Sequence, residues 1–67
     1  MRILYEAEID GKKLVTIYAN ISSMTPEEFP TDLCTGSLLV NTNPSRGLNE
    51  PFILIYDEGT NGWGAVQ

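Results

Sequence analysis

Apolar and polar residues alternate through residues 2–21 of the chain. Positions 3, 5, 7 and 9 are Ile, Tyr, Ala and Ile, and positions 15, 17, 19 and 21 are Val, Ile, Ala and Ile. A period of two is typical of strands with one buried face, and Asp10-Gly11 between the runs predicts a hairpin over 2–21. A three-residue loop ending at Gly11 keeps the apolar residues on one face, because it pairs Tyr5 with Val15.

The segment 24–30, MTPEEFP, has the signals of a helix start. Thr25 suits the N-cap, Pro26 suits the first helical position, and Glu28 completes a capping box. Met24 and Phe29 have the spacing of a hydrophobic staple across that cap. The second proline, at position 30, removes a helical hydrogen bond, so the pattern predicts a short helix over 25–33.

Three more strands are predicted in the second half of the chain, at 37–42, 52–56 and 63–66. A loop rich in turn residues separates the first two, at 43–47. The pattern therefore predicts an α+β fold: about five antiparallel strands in one sheet, with one short helix packed on it.

Length and composition indicate a small folded domain with an acidic surface. The 67 residues fit a single domain, and an apolar fraction of 42% argues against a disordered chain. The formal net charge is −5, from nine acids and four bases. This balance disfavours direct binding of nucleic acid, which needs clustered Lys and Arg, and it permits an acidic surface that faces a basic groove.

The chain has few residues that could carry chemistry. There is no histidine, and the single cysteine, Cys34, has no partner for a disulfide. The adjacent acids Glu27-Glu28 and Asp57-Glu58 do not converge on one point, and neither pair has the spacing of a metal loop. We therefore expect a binding protein rather than an enzyme, with no cofactor and no metal. The N-terminus has neither a signal peptide nor a spanning segment, so we expect a cytoplasmic protein with no membrane partner.

From about Asn20 to Val66, the chain resembles the bacteriophage uracil-DNA glycosylase inhibitor family, whose members block their enzyme by imitating DNA. That family has a Met-x-Pro-Glu-Glu motif followed by an apolar residue, a Leu-Val-His-Thr strand, a strand of four apolar residues, an acidic turn and a Trp-Ala-Leu-Val strand. The similar stretches occur here in the same order: Met24 to Phe29, Leu39-Val40-Asn41-Thr42, Phe52 to Ile55, Asp57-Glu58 and Trp63-Gly64-Ala65-Val66.

The resemblance implies a protein partner and two sets of contact residues. The partner is uracil-DNA glycosylase, bound through its DNA-binding groove. Acidic residues at the matching positions, or beside one in the case of Asp32, face that groove: Glu27, Glu28, Asp32 and Glu58. Apolar residues at the matching positions form a cavity that sequesters the enzyme's DNA-intercalating leucine: Met24, Phe29, Leu33, Val40, Ile53, Ile55 and Val66.

The chain also departs from the family pattern. Asn20 and Thr31 stand where the family has acids, and Asp32 also takes a cavity position. A predicted hairpin replaces the family's N-terminal helix. Two other functions therefore remain open: another phage anti-defence DNA mimic, such as an anti-CRISPR protein, or a small virion structural or assembly protein that associates through a sheet edge.

Overall fold

The computed structural model of the chain describes residues 2–44 and 50–66, which form one five-stranded sheet in the order β1-β2-β3-β4-β5. Residues 45–47 of the predicted loop at 43–47 lie outside the described part. The strands are β1 (Arg2–Ile9), β2 (Lys12–Ala19), β3 (Leu38–Asn41), β4 (Ile53–Asp57) and β5 (Gly62–Ala65).

The predicted α+β class is wrong, and so is the all-antiparallel sheet. β2 and β3 pair in parallel, while the other three neighbouring pairs are antiparallel, so the sheet is mixed. Within residues 2–44 and 50–66, the helical structure consists of two short 3-10 turns, Ile21–Ser23 and Pro26–Glu28. The protein is therefore mostly sheet.

Pro30 explains why the helix predicted over 25–33 does not form. The start signals act as predicted, since the Glu28 carboxylate accepts hydrogen bonds from the Thr25 amide at 3.1 Å and the Thr25 hydroxyl at 3.2 Å. Phe29, however, has extended backbone (φ −72, ψ 121) because a residue before proline is driven away from the helical region. The segment therefore makes a single 3-10 turn.

The parallel pairing of β2 and β3 determines where the core lies. Parallel neighbours need a crossover connection, which is usually a helix. Here residues 20–37 cross one face of the sheet with the two 3-10 turns instead. The crossover's Ile21, Met24, Phe29 and Leu33 pack against that face, and this is the hydrophobic core.

The β1–β2 hairpin has a two-residue loop rather than the predicted three-residue loop. Asp10 and Gly11 both have positive φ (51 and 82), as a type I′ turn requires. Tyr5 therefore pairs with Thr16 instead of Val15. The register shifts between Ile3 and Tyr5, and this bulge restores the predicted pairing of Ile3 with Ile17.

The pairings divide the strand residues between two faces of the sheet, because directly paired residues point to the same face. The face under the crossover, here the covered face, carries the buried strand residues Val15, Ile17, Ala19, Leu39, Asn41, Leu54 and Tyr56. The opposite face, here the open face, carries Tyr5, Thr16, Tyr18, Leu38, Val40, Ile53 and Ile55. The open face is therefore apolar over β3 and β4, and at β1 and β2 it also carries Arg2, opposite Tyr18, and Lys12, opposite Ile9.

Candidate functional site

An apolar groove opens on the covered face, between the crossover and the β4–β5 hairpin. Its volume is about 390 Å³. The lining residues come from the 3-10 turn and its exit, from β4 and from the second hairpin: Pro26, Phe29, Thr31, Leu54, Asn61, Gly62 and Trp63. The groove is large enough to receive an apolar side chain from another protein.

Hydrogen bonds hold the two walls of the groove together. The Trp63 indole N–H donates to the Pro30 carbonyl at 2.9 Å. The Tyr56 hydroxyl donates to the Asn61 side-chain oxygen and accepts from the Asp32 amide, the latter at 3.0 Å. The rings of Tyr56 and Trp63 meet edge to face, with centroids 5.3 Å apart. The wall positions are therefore fixed before any partner binds.

Three of the four predicted acidic residues lie on the segment that forms one wall of the groove. Glu27 and Glu28 belong to the same 3-10 turn as Pro26, and Asp32 follows Thr31. All three are exposed. Among the described residues, the Glu27 carboxylate has no hydrogen-bond or salt-bridge partner, whereas that of Glu28 caps the turn. A basic partner can therefore contact Glu27 at less cost than Glu28, whose carboxylate would have to leave its cap.

Glu58, the fourth acid, takes part in a contact network within the chain. Its carboxylate accepts from the Thr35 amide at 3.0 Å and from the Lys12 ammonium at 3.1 Å. The hydrogen bond from the Thr35 amide is the main cause that lowers the pKa of Glu58, and the hydrogen bond from Lys12 is the next. The hydrogen bond between Lys12 and Glu58 also raises the pKa of Lys12. Glu58 therefore ties the β4–β5 turn to β2 and the crossover, and its charge is partly balanced.

The structure divides the seven predicted cavity residues between the two faces. Met24, Phe29 and Leu33 lie on the covered face, where Leu33 is buried in the core and Phe29 lines the groove. Val40 and Ile53 pair with each other on the open face, and Ile55 lies on that face two residues further along β4. The last of the seven, Val66, is 53% exposed beyond the end of β5. The seven residues therefore do not line one cavity.

The residue list inferred from sequence left out most of the groove. Trp63 is the largest omission, and its signal was available: the single tryptophan of the chain stands between two glycines on a short strand. A tryptophan contributes a large apolar contact area, and its indole needs a partner for the N–H when it is buried. Asn61 and Thr31 carried no comparable signal, because their place depends on how the turn meets the crossover.

Residues 2–44 and 50–66 bring together no group of three or more His, Cys, Asp or Glu side chains that could hold a metal ion. The same residues contain no helix that is long and apolar enough to cross a membrane.

Comparison of the chain with protein-family models, with curated proteins and with solved structures finds no match in any of the three.

Proposed function

We propose that this protein is an inhibitor that binds uracil-DNA glycosylase by mimicking DNA, in the cytoplasm of a phage-infected host cell. Its acids occupy the positions of DNA phosphates in the enzyme's binding groove. Its own apolar groove receives the leucine that the enzyme inserts into DNA. The proposal rests on the resemblance of residues 20–66 to the inhibitor family and on a revised set of apolar contacts.

One observation carries the proposal: the apolar groove and a row of exposed acids share one segment of chain. Pro26, Phe29 and Thr31 line the groove, and Glu27 lies between them in sequence without a side-chain partner among the described residues. A protein that binds DNA and inserts an apolar side chain into it offers a basic surface around that side chain. The groove and its acids are complementary to such a surface.

The revised set of apolar contact residues is smaller than the set that the family resemblance implies. Phe29, Leu54 and Trp63 take the role of cavity wall, since they line the groove. Val40, Ile53 and Ile55 have no part in it, because they face away from the groove. Burying a leucine side chain fully contributes roughly 1.5–3 kcal/mol, so the groove contact and the charges must act together to give a tight complex.

The test is an inhibition assay with purified uracil-DNA glycosylase on uracil-containing DNA. We expect excision to stop when inhibitor and enzyme reach equal concentrations. Because Trp63 is the only tryptophan, 5-fluorotryptophan labelling places one ¹⁹F signal in the groove, and we expect that signal to shift when the enzyme binds. Full excision at excess inhibitor rules out the proposed target, and capture of an RNA-guided nuclease from host lysate then identifies another DNA mimic.

Glu27→Lys measures the contribution of charge. It reverses an exposed acid beside the groove, so we expect the affinity for the enzyme to fall about tenfold, mostly through slower association, with the effect shrinking as salt rises. Glu8→Lys is the matched control, since it makes the same charge change on β1, outside the groove lining. Equal losses in the two variants indicate that only net charge matters and remove the groove from the interface.

A second function, a small virion structural or assembly protein, is favoured by a different observation. β1 is an exposed edge strand of eight residues, and the open face beside it is apolar. Such surfaces suit subunits that pack side by side. Self-association without binding to the glycosylase supports this function over the inhibitor.

A further inference from the structure

Asn61 is a polar residue in the lining of the apolar groove, and its side-chain amide has a fixed orientation. Its oxygen accepts hydrogen bonds from the Tyr56 hydroxyl and from the Asp32 amide, the latter at 3.3 Å. The Asp32 amide also donates to the Tyr56 hydroxyl at 3.0 Å, so the proton of that hydroxyl is free to point to Asn61. Because both neighbours donate, the atom of Asn61 that faces them is the oxygen and not the nitrogen.

The NH2 group of Asn61 is left without a partner by this arrangement. The two branches of a planar amide point apart, so the nitrogen points away from Tyr56 and Asp32. Within residues 2–44 and 50–66, it makes no hydrogen bond. Asn61 is an exposed residue, so another molecule can reach the two N–H donors. The groove therefore has a pair of unused donors in a lining that is mainly apolar.

Neither the turn nor the groove wall requires an asparagine at position 61. The residue has a φ of 51, in the left-handed region that Asn and Asp both adopt more readily than most side chains. A carboxylate would also accept the two hydrogen bonds that the Asn61 oxygen accepts, and charged acceptors bind more strongly than neutral ones. The NH2 group is thus the feature that asparagine supplies here and that aspartate lacks.

We propose that Asn61 is a recognition residue of the groove, whose NH2 group donates to a main-chain carbonyl of the protein partner, beside the apolar side chain that enters the groove. A segment that inserts a side chain brings its own carbonyls to the rim, and each of them needs a donor once water is displaced. The inference rests on the proposed function, because it takes an inserted side chain as the occupant of the groove.

Charge identifies the kind of segment that fits. Glu27 and Asp32 are exposed acids on the wall that the crossover forms, and the groove lining contains no Lys or Arg. A basic residue next to the inserted side chain would be attracted to these acids, whereas an acidic segment would be repelled. The occupant is therefore a peptide segment in which an apolar residue has a basic neighbour.

Asn61→Asp separates the hydrogen bond from charge. It keeps an acceptor for Tyr56 and Asp32, removes the N–H donors and adds an acid to a surface that faces a basic partner. Charge alone would tighten the complex. We expect instead an affinity for uracil-DNA glycosylase about tenfold lower, because an oxygen then faces the partner's carbonyl. Thr60→Asp is the matched control: it makes the same charge change one residue earlier, outside the groove lining, and should not weaken binding.

The measurement is a titration of uracil excision with each variant, after urea unfolding has shown that both variants are folded. Binding by Asn61→Asp that equals or exceeds that of the original protein overturns the inference and leaves the proposed function standing. No inhibition by the original protein overturns the proposed function instead, and a small probe of the groove then decides the inference.

N-acetyl-leucine amide is that probe, because it has a leucine side chain with a carbonyl on either side. In ¹⁵N-labelled protein, the Asn61 NH2 signals are those that are missing from the spectrum of Asn61→Asp. We expect the probe at millimolar concentrations to shift these signals together with the indole signal of Trp63. N-acetylglycine amide, which has the same carbonyls and no side chain, should shift neither. Asn61 signals that stay in place, or that move equally with the glycine compound, overturn the inference.

Discussion

The covered face and the open face are built from the same strands, yet only one of them has become a core. On the covered face, Leu39 is 0% exposed and Tyr56 is 1% exposed, under a crossover that brings four more apolar residues down onto the sheet. On the open face, Tyr5 is 55% exposed and Ile55 is 37% exposed. Both faces are apolar, so the difference comes from the path of the chain between β2 and β3.

The buried polar groups show the same contrast. Ser37 and Asn41 are buried among the core residues, and each has its hydrogen bonds: Ser37 accepts from the Val15 amide at 3.1 Å, and Asn41 donates to the Pro51 carbonyl at 3.1 Å. No buried side-chain nitrogen or oxygen of the described residues lacks a partner. The covered face therefore has the complete hydrogen bonding of a protein interior, whereas open-face side chains such as Tyr5 and Tyr18 remain exposed.

Removing side-chain volume at the centre of each face should give the largest difference in stability between the covered face and the open face. We expect Leu39→Ala to lower the free energy of unfolding by about 3 kcal/mol, because it leaves a cavity in the core. Val40→Ala, the next residue along β3 but on the open face, should cost less than about 1 kcal/mol. Urea unfolding followed by circular dichroism measures both. Equal losses would mean that the open face is covered in solution.

Removing a tyrosine hydroxyl from each face should give a smaller difference in stability between the two faces. Tyr56→Phe takes a hydrogen-bonding group away from the Asp32 amide and from Asn61, so we expect a loss of about 1–2 kcal/mol in the free energy of unfolding. Tyr18→Phe is the control on the open face, where the ring is 37% exposed, and it should change stability by less than about 0.5 kcal/mol. A neutral Tyr56→Phe would show that the Tyr56 contacts do not hold the groove wall in place.

Acid titration of Glu58 gives the smallest expected effect. The folded state holds the pKa of Glu58 below its usual value of 4.5, foremost through the Thr35 amide and then through Lys12. The carboxylate therefore stabilises the protein above about pH 4.5, and this contribution is lost as the pH falls through the lower, folded pKa. We expect the urea midpoint of the original protein to exceed that of Glu58→Gln at pH 6, and the gap to close at pH 3.

Glu27→Gln is the matched control for that titration. Its carboxylate has no side-chain partner among the described residues, so its removal should leave the urea midpoint nearly unchanged at both pH values. A gap that is the same at pH 6 and pH 3 for Glu58→Gln would assign the effect to packing rather than to charge.

Several local features could be predicted from the sequence because they depend on residues close together in the chain. The alternation of apolar residues predicted the strands, and their observed bounds differ from the predicted ones by only a few residues. The capping contact from Glu28 to Thr25 was also predictable, since its two residues are three apart. The loop length of the first hairpin could not be predicted in this way. Because of the bulge between Ile3 and Tyr5, a two-residue loop also pairs Ile3 with Ile17, as the predicted three-residue loop would.

The groove was less predictable than the strands. Phe29 and the acids beside it were inferred from a motif, whereas Trp63, Asn61 and Leu54 become its neighbours only through the contact between the β4–β5 hairpin and the crossover. The sequence prediction placed Val40, Ile53 and Ile55 on the same cavity wall as Phe29. It assumed that all apolar strand residues near the predicted helix face that helix. Alternation identifies the residues that share a face, but it does not identify which face the crossover will cover.

By itself, the sequence determined the strands, the acidic surface, the turn at Asp10-Gly11 and the early stop at Pro30, because each depends on composition or on backbone preferences over a few residues. The tertiary structure alone decided the parallel pairing of β2 with β3 and therefore which apolar face is buried. That choice comes from competition between two similar faces for one short crossover, which can cover only one of them. The open face and the β1 edge stay exposed because the crossover lies on the other side of the sheet.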